Sequence, residues 1–177
     1  MSKSNFLDKK SFIDLNEADL EKLIEEVGEK NFRINQINNW IYNHFVKNWS
    51  EMKNLPKSLI NQLEKRIRLH PLELIRISGN DTDSTRKFLF NTIKGNKIES
   101  VLMQDNNRTT ICVSSQSGCI LDCNFCATAS MGFLENLSST EIIDQVIYLA
   151  SYSNSKITNI VYMGMGEPLM NYRNVME

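Results

Sequence analysis

The chain has 177 residues, 41% hydrophobic and 23% charged, with a net charge of −1; this suits a folded protein of one domain, or one small domain joined to part of another. No apolar run reaches the length of a membrane span and the start, Met-Ser-Lys-Ser-Asn, has no apolar signal core, so the expectation is a soluble cytoplasmic protein that makes no membrane contact. Residues 1–111 hold 18 Lys+Arg against 15 Asp+Glu and residues 112–177 hold 2 against 6, a mildly basic first half that leaves RNA binding unproven on charge alone.

In chain order, residues 1–70 are expected to form a small helical domain. Asn16 is a good N-cap, Asp19 suits the first turn, and Leu20, Leu23, Ile24 and Val27 follow at the helical period until Gly28. A second helix is predicted on Ile34, Ile37, Ile41 and Phe45, with Trp40 beside that stripe. A third begins near Pro56 and buries Leu59, Ile60, Leu63 and Ile67. Arg33, Lys53, Lys57, Lys65, Arg66 and Arg68 lie between the stripes, where solvent-facing positions are the ordinary expectation. Residues 71–108 read as a β extension. Leu72 to Ile77, Lys87 to Ile93 and Ile98 to Met103 are strand-like, separated by Gly79–Ser84 and Lys94-Gly95-Asn96. Thr109 to Val113 closes this antiparallel meander.

Cys119, Cys123 and Cys126 follow, spaced C-x-x-x-C-x-x-C. Three thiolates on one loop suit a metal centre that stays incompletely ligated. A [4Fe–4S] cluster is normally held by four cysteines, so three would leave one iron open. Structural zinc remains an alternative, although it wants four ligands. The only histidines, His44 and His70, lie far upstream in helix-like sequence, expected half-buried or exposed. Disulfides fit badly, since three clustered cysteines cannot all pair with one another. After the loop, Ser138 or Ser139 caps a predicted helix carrying Ile142, Ile143, Val146, Ile147 and Ala150, and Asn159 to Met163 is the next strand. Strand, loop, helix and strand make a βαβ unit. The predicted class is α/β, and residues 109–177 read as the first part of a longer barrel or open sheet.

The cysteine loop with Phe125 before its last thiol, and Gly164-Met-Gly166-Glu167-Pro168 about forty residues later, resemble the radical S-adenosylmethionine (SAM) superfamily. The resemblance implies a truncated radical SAM (partial TIM-like) barrel. It also implies a [4Fe–4S] cluster on Cys119, Cys123 and Cys126, whose open iron takes SAM and cleaves it reductively to an alkyl radical. Gly166 would let main chain approach SAM closely, and Glu167 would accept a hydrogen bond from its ammonium.

Arg108-Thr-Thr-Ile-Cys-Val-Ser-Ser-Gln-Ser-Gly-Cys119, then Cys126-Ala-Thr-Ala129 and Met131-Gly-Phe133, are similar to the adenosine carbon-2 RNA methyltransferases, the RlmN family. Phe32 to Tyr42 and Met52 to Pro56 match that family's N-terminal domain, an RNA-binding accessory. The family methylates large-subunit ribosomal RNA and tRNA through a methyl-cysteine ping-pong mechanism, with an external electron donor such as a flavodoxin-type reductant. Carried over residue by residue, Glu99 corresponds to the acceptor of the carbon-2 proton, best placed in a partly dry site. Cys112 corresponds to the resolving thiol, which releases the product through a transient disulfide. All four cysteines are then assigned and none is the methyl carrier, so this chain alone is expected to be an inactive fragment. The alternatives are a carbon-8 methyltransferase (Cfr-type) and a non-catalytic zinc- or RNA-binding module.

Overall fold

The computed structural model describes residues 10–121 and 123–177. The run Met1–Asn5, read above for its lack of a signal core, and Asp122 of the cysteine loop lie outside the described residues. Among those described, no helix is long and apolar enough to cross a membrane. The chain divides into two compact units, the first ending at Pro71 and the second beginning at Leu72.

The first unit holds α1 (Glu17–Glu26), α2 (Phe32–Tyr42) and α3 (Lys57–Arg66). Asn16 caps α1 as its spacing predicts: its Oδ1 accepts from the Asp19 N–H at 2.9 Å, satisfying a donor that the first turn leaves free. Beyond the other end, Gly28 takes a φ of +78°, a left-handed turn that glycine adopts without cost. The predicted stripes bury Ile24 of α1, Ile37 and Ile41 of α2, and Leu59 and Leu63 of α3. Phe12 packs edge-on against Trp49, ring centroids 5.8 Å apart. The two ends of the unit are tied by Phe12 N–H donating to Arg68 O at 2.7 Å and Arg68 N–H to Lys10 O at 3.0 Å.

Three details depart from expectation. α2 stops at Tyr42 because Asn43 and His44 are weak helix formers. Phe45 then turns left-handed with φ +50°, and Val46 enters the core in its place. Arg68 is buried and donates to Pro71 O at 3.2 Å. His70 is also buried, donating from Nε2 to Val46 O at 2.9 Å. A buried polar side chain needs such a partner, and only the fold supplies one. His44 stays exposed, its ring 4.6 Å from that of Trp40.

The second unit contains β1 (Glu73–Ser78), β2 (Thr85–Asn91), β3 (Lys97–Asp105), β4 (Arg108–Cys112), β5 (Gln116–Gly118), β6 (Phe133–Asn136), α4 (Ser139–Ser151), β7 (Asn159–Val161) and α5 (Tyr172–Met176). β1 to β4 form the antiparallel meander, and β7 joins it as a parallel neighbour of β4. The α/β class and the parallel closure of the βαβ unit are those expected. Meander and βαβ unit share one five-stranded sheet, because β4 pairs on both sides.

Strand alternation puts Phe88, Phe90, Ile98 and Leu102 on one face, where they form a buried core with Ile142 and Leu149 of α4. Ser138 starts that helix with a capping box: its Oγ accepts from the Glu141 N–H, and Glu141 accepts from the Ser138 N–H at 3.0 Å. The opposite face carries Lys87, Leu89, Glu99, Val101 and Met103. One further departure bears on the site. The cysteine loop does not leave β4 directly; it hangs from a separate antiparallel ribbon of β5 and β6. Gln-Ser-Gly and Phe-Leu-Glu-Asn are too short to show a strand period.

Candidate functional site

β4 ends at Cys112, which pairs across to Val101 of β3 and Val161 of β7. By this register Cys112 shares the sheet face of Val101 and Glu99. Cys112 is 7% exposed. Burial pushes its thiol up, and a hydrogen bond from the Met163 backbone pulls the other way without cancelling it. Glu99 forms an ion pair with Lys87 on β2, Nζ to Oε1 2.9 Å, and both side chains are substantially exposed. Glu99 is therefore more open to solvent than the partly dry surroundings expected for it, its side chain staying 41% accessible among the described residues. A cavity of about 560 Å³ opens on the same face, lined among others by Met103, Thr110, Val161 and Met163. Of the motif Arg108–Cys119, Arg108 and Thr110 line it, whereas Glu99, Cys112, the three loop cysteines, Gly166 and Glu167 do not.

Past β4 and β7 the two strand ends continue side by side. Val113 N–H donates to Val161 O at 2.9 Å, Gly164 N–H to Val113 O at 3.1 Å, and Ser115 N–H to Met165 O at 2.9 Å. The spacing is tight. A Cβ on Gly164 would lie 2.7 Å from Val113 O, and one on Gly166 would lie 2.4 Å from the Gln116 Cβ. Gly166 also has φ +89°. Both glycines are thus required by the approach of the protein's own Val113–Gln116 segment. Glu167 ends this run, and its carboxylate accepts from Leu169 N–H at 3.1 Å.

Beyond β5 the chain turns into the cysteine loop. Gly118, at φ +70°, sits where a Cβ would overlap the Gly132 carbonyl, and Cys119 N–H donates to that same carbonyl at 3.2 Å. These contacts close the loop at its base. All four cysteines are free thiols, with Cys119, Cys123 and Cys126 partly exposed. The Cys126 thiol is held below its ordinary range, first by a hydrogen bond from the Ala129 backbone and then by one from Thr128, against some desolvation. Such a thiol yields thiolate, the metal-binding form, more readily. Among the described residues no three His, Cys, Asp or Glu side chains are gathered as a ready-made ligand group, so the fit to a cluster is one of donor chemistry: three accessible thiols on one short loop. Phe125 is 93% exposed at its tip.

A polar network that sequence reasoning missed holds these pieces together. Ser114 Oγ donates to Glu99 O at 2.6 Å and accepts from Met165 N–H at 2.8 Å. Gln145 of α4 accepts from Ser114 N–H at 2.8 Å and donates to Ser114 O at 3.0 Å. Buried Asn171 donates to Ser115 O and Leu137 O, both at 2.8 Å. The available signal was a glutamine inside the apolar stripe of α4 and a Ser-Ser-Gln run directly after a buried strand.

Residues 11–69 match the family described as the ribosomal RNA large subunit methyltransferase N-terminal domain. Over 169 residues, 92% of the chain, it is 45% identical to "Probable dual-specificity RNA methyltransferase RlmN 2" of Protochlamydia amoebophila, covering 47% of that protein. It is 44% identical to "Dual-specificity RNA methyltransferase RlmN" of Syntrophobacter fumaroxidans over 89% of the chain and 46% of the relative. The crystal structure of a radical SAM methyltransferase from Sphaerobacter thermophilus superposes with a TM-score of 0.82 at 40% identity, covering 94% of this chain and 50% of that one. The chain spans about half the length of the curated relatives it matches. The first unit thus matches that N-terminal domain family, and the likeness to these RlmN-named relatives and to the radical SAM methyltransferase structure extends over most of the second unit.

Proposed function

We propose that this chain supplies the cluster- and SAM-binding part of an enzyme that methylates carbon 2 of adenosine in large-subunit ribosomal RNA and in tRNA. The observation that carries this reading is the paired run of two strand ends. It sets Gly164–Glu167 beside the segment leading to the cysteine loop, in a chain 45% identical to an RlmN relative. Cys119, Cys123 and Cys126 would hold a [4Fe–4S] cluster, and Gly166 and Glu167 would contact SAM. When bound, the pair supplies reductive radical chemistry, fed by an external donor of the flavodoxin class.

The chain's own residues have separate tasks. Glu99 accepts the carbon-2 proton, held in place by Lys87. Cys112, once a base has taken its buried proton, attacks the sulfur of a methyl-carrying cysteine that is not among the four of this chain; the S–S bond forms as the carbon–sulfur bond to the RNA breaks, and the electron pair leaves with the product, which is then protonated. The helical domain, residues 1–70, is an RNA-binding accessory. Lys53 and Lys57 are exposed there, whereas Arg33 is engaged by Glu29 at 3.0 Å and Gln36 at 2.8 Å. Residues 71–108 extend the sheet, residues 109–177 begin the SAM-binding core, and the setting is the cytoplasm.

Anaerobic reconstitution with iron and sulfide tests the reading. Brown protein with about four irons per chain, lost in Cys123→Ala, is the expected result. A colourless protein that takes up one zinc instead would overturn it.

A further inference from the structure

Gln116 is 1% exposed and lies at the point where the two halves of the site meet. Its Oε1 accepts from the Glu167 N–H at 3.0 Å, and its Nε2 donates to Asn136 Oδ1 at 2.8 Å. Asn136 is its cross-strand partner on β6. Its main-chain N–H donates to Met165 O at 3.2 Å, and its Cβ and Cγ occupy the space that a side chain on Gly166 would need. One side chain therefore spans the ribbon from which the cysteine loop hangs and the backbone of Glu167. We propose that Gln116 is a positioning residue that keeps Glu167 in register with the cysteine loop.

The proposal rests on the reading that the loop holds the cluster and Glu167 contacts SAM. A ligand shared between a loop and a carboxylate binds well only if their separation is fixed before it arrives. Backbone pairing alone fixes Met165 against Ser115 and Gln116; the Gln116 amide extends that hold to Glu167. Glutamine is suited to this because it donates and accepts at once. An ordinary satisfied core residue would make the same bonds, so the test needs a readout at Glu167 itself.

Gln116→Met keeps the length of the side chain and removes both amide bonds. Asn136→Ala, at an exposed position, removes only the anchor on β6. The reconstituted chain is titrated with SAM and followed by the electron paramagnetic resonance of the reduced cluster. Amide hydrogen exchange is measured in parallel on the chain without cofactors. In Gln116→Met, iron content is expected to be unchanged, SAM affinity to fall about tenfold, and Glu167 exchange to rise about tenfold, as loss of one modest hydrogen bond allows. β2 and β3 keep their protection. Asn136→Ala gives a smaller change of the same sign, and it decides the matter if Gln116→Met does not fold. Parental exchange at Glu167, or acceleration spread evenly over the sheet, overturns the proposal, as does an unchanged SAM affinity. If the parent takes up no cluster or SAM, the functional reading fails instead, and exchange at Glu167 still decides what Gln116 does.

Discussion

Replacing Gln145 by leucine tests whether the polar hub under the site is structural in the strong sense. Gln145 is fully buried, and its side-chain amide makes four hydrogen bonds: from Ser100 Oγ at 2.7 Å and Ser114 N–H at 2.8 Å, and to Ser114 O at 3.0 Å and Glu141 O at 3.2 Å. Leucine has a similar volume, so cavity formation is a minor cost. Glu141 O keeps its place in the helix ladder, but Ser114 N–H, Ser114 O and Ser100 Oγ lose this partner. Each polar group left buried and unpaired costs about 1–3 kcal/mol, and burying leucine returns about 1.5–3 kcal/mol. The net loss is about 3 kcal/mol. With a urea slope of about 2 kcal/mol/M, the midpoint of the second unit should fall by about 1.5 M. Both tryptophans, Trp40 and Trp49, lie in the first unit, so fluorescence would report the wrong transition. Near-ultraviolet circular dichroism, with Tyr148 and Tyr152 contributing from the second unit, is the appropriate probe. A fall below about 0.5 M with an unchanged slope would refute the reasoning, because it would mean that Ser114 and Ser100 find other partners.

Three further outcomes are expected. Glu135 is 6% exposed. Burial acts to raise its carboxyl, but hydrogen bonds from Thr92, Asn96 and Lys94, with the Lys94 charge, outweigh burial and hold it below the usual glutamate range. A depressed carboxylate stabilises the fold above its unfolded value, and that contribution disappears as pH falls through the folded value. Glu135→Gln should therefore lower stability at neutral pH and flatten its loss on acidification, measured by urea unfolding at pH 7 and below 4; parallel pH curves would contradict this. Gly166→Ala should cost about 2–4 kcal/mol, since it combines φ +89° with a Cβ at 2.4 Å from that of Gln116, and a thermal scan showing no loss would be contrary. In the apo chain, iodoacetamide should modify Cys126 well before Cys112, because one thiol is lowered and accessible while the other is raised and buried; mass spectrometry of the peptides settles the order.

Much of the fold was legible where a periodic signal coincided with a local stop. Asn16 with Asp19, Ser138 with Glu141, and the alternation of Phe88 and Phe90 each combine a pattern with a cap or a register, and each element formed as read. The misses share a physical cause: they depend on partners distant in sequence. Arg68 and His70 look like surface residues until Pro71 O and Val46 O accept from them. The ribbon of β5 and β6 has too few residues for a period and exists because Gly118 and Gly132 close its base. Gln145 falls within an apolar helix face, where Ser100 of β3 and the Ser114 backbone just past β4 explain a buried amide.

The two glycines after β7 have a packing requirement of their own, apart from the ligand approach read from the sequence. From sequence, Gly164 and Gly166 invite a backbone approach to a ligand, since glycine is the residue that permits it. In the structure the atoms that exclude a side chain belong to Val113, Ser114 and Gln116. Their smallness is used first to let two parallel strand ends continue as a pair beyond the sheet. That pairing does not compete with a ligand-binding role: it is what brings Glu167 within hydrogen-bonding reach of the ribbon that carries the thiols. A variant that enlarges Gly164 would push against the Val113 carbonyl and displace that pairing before any ligand is involved. The order of effects is therefore itself diagnostic: amides of Ser115 and Gln116 should lose protection in Gly164→Ala even in cofactor-free protein. Protection retained there would return the glycines to the ligand-approach role read from the sequence.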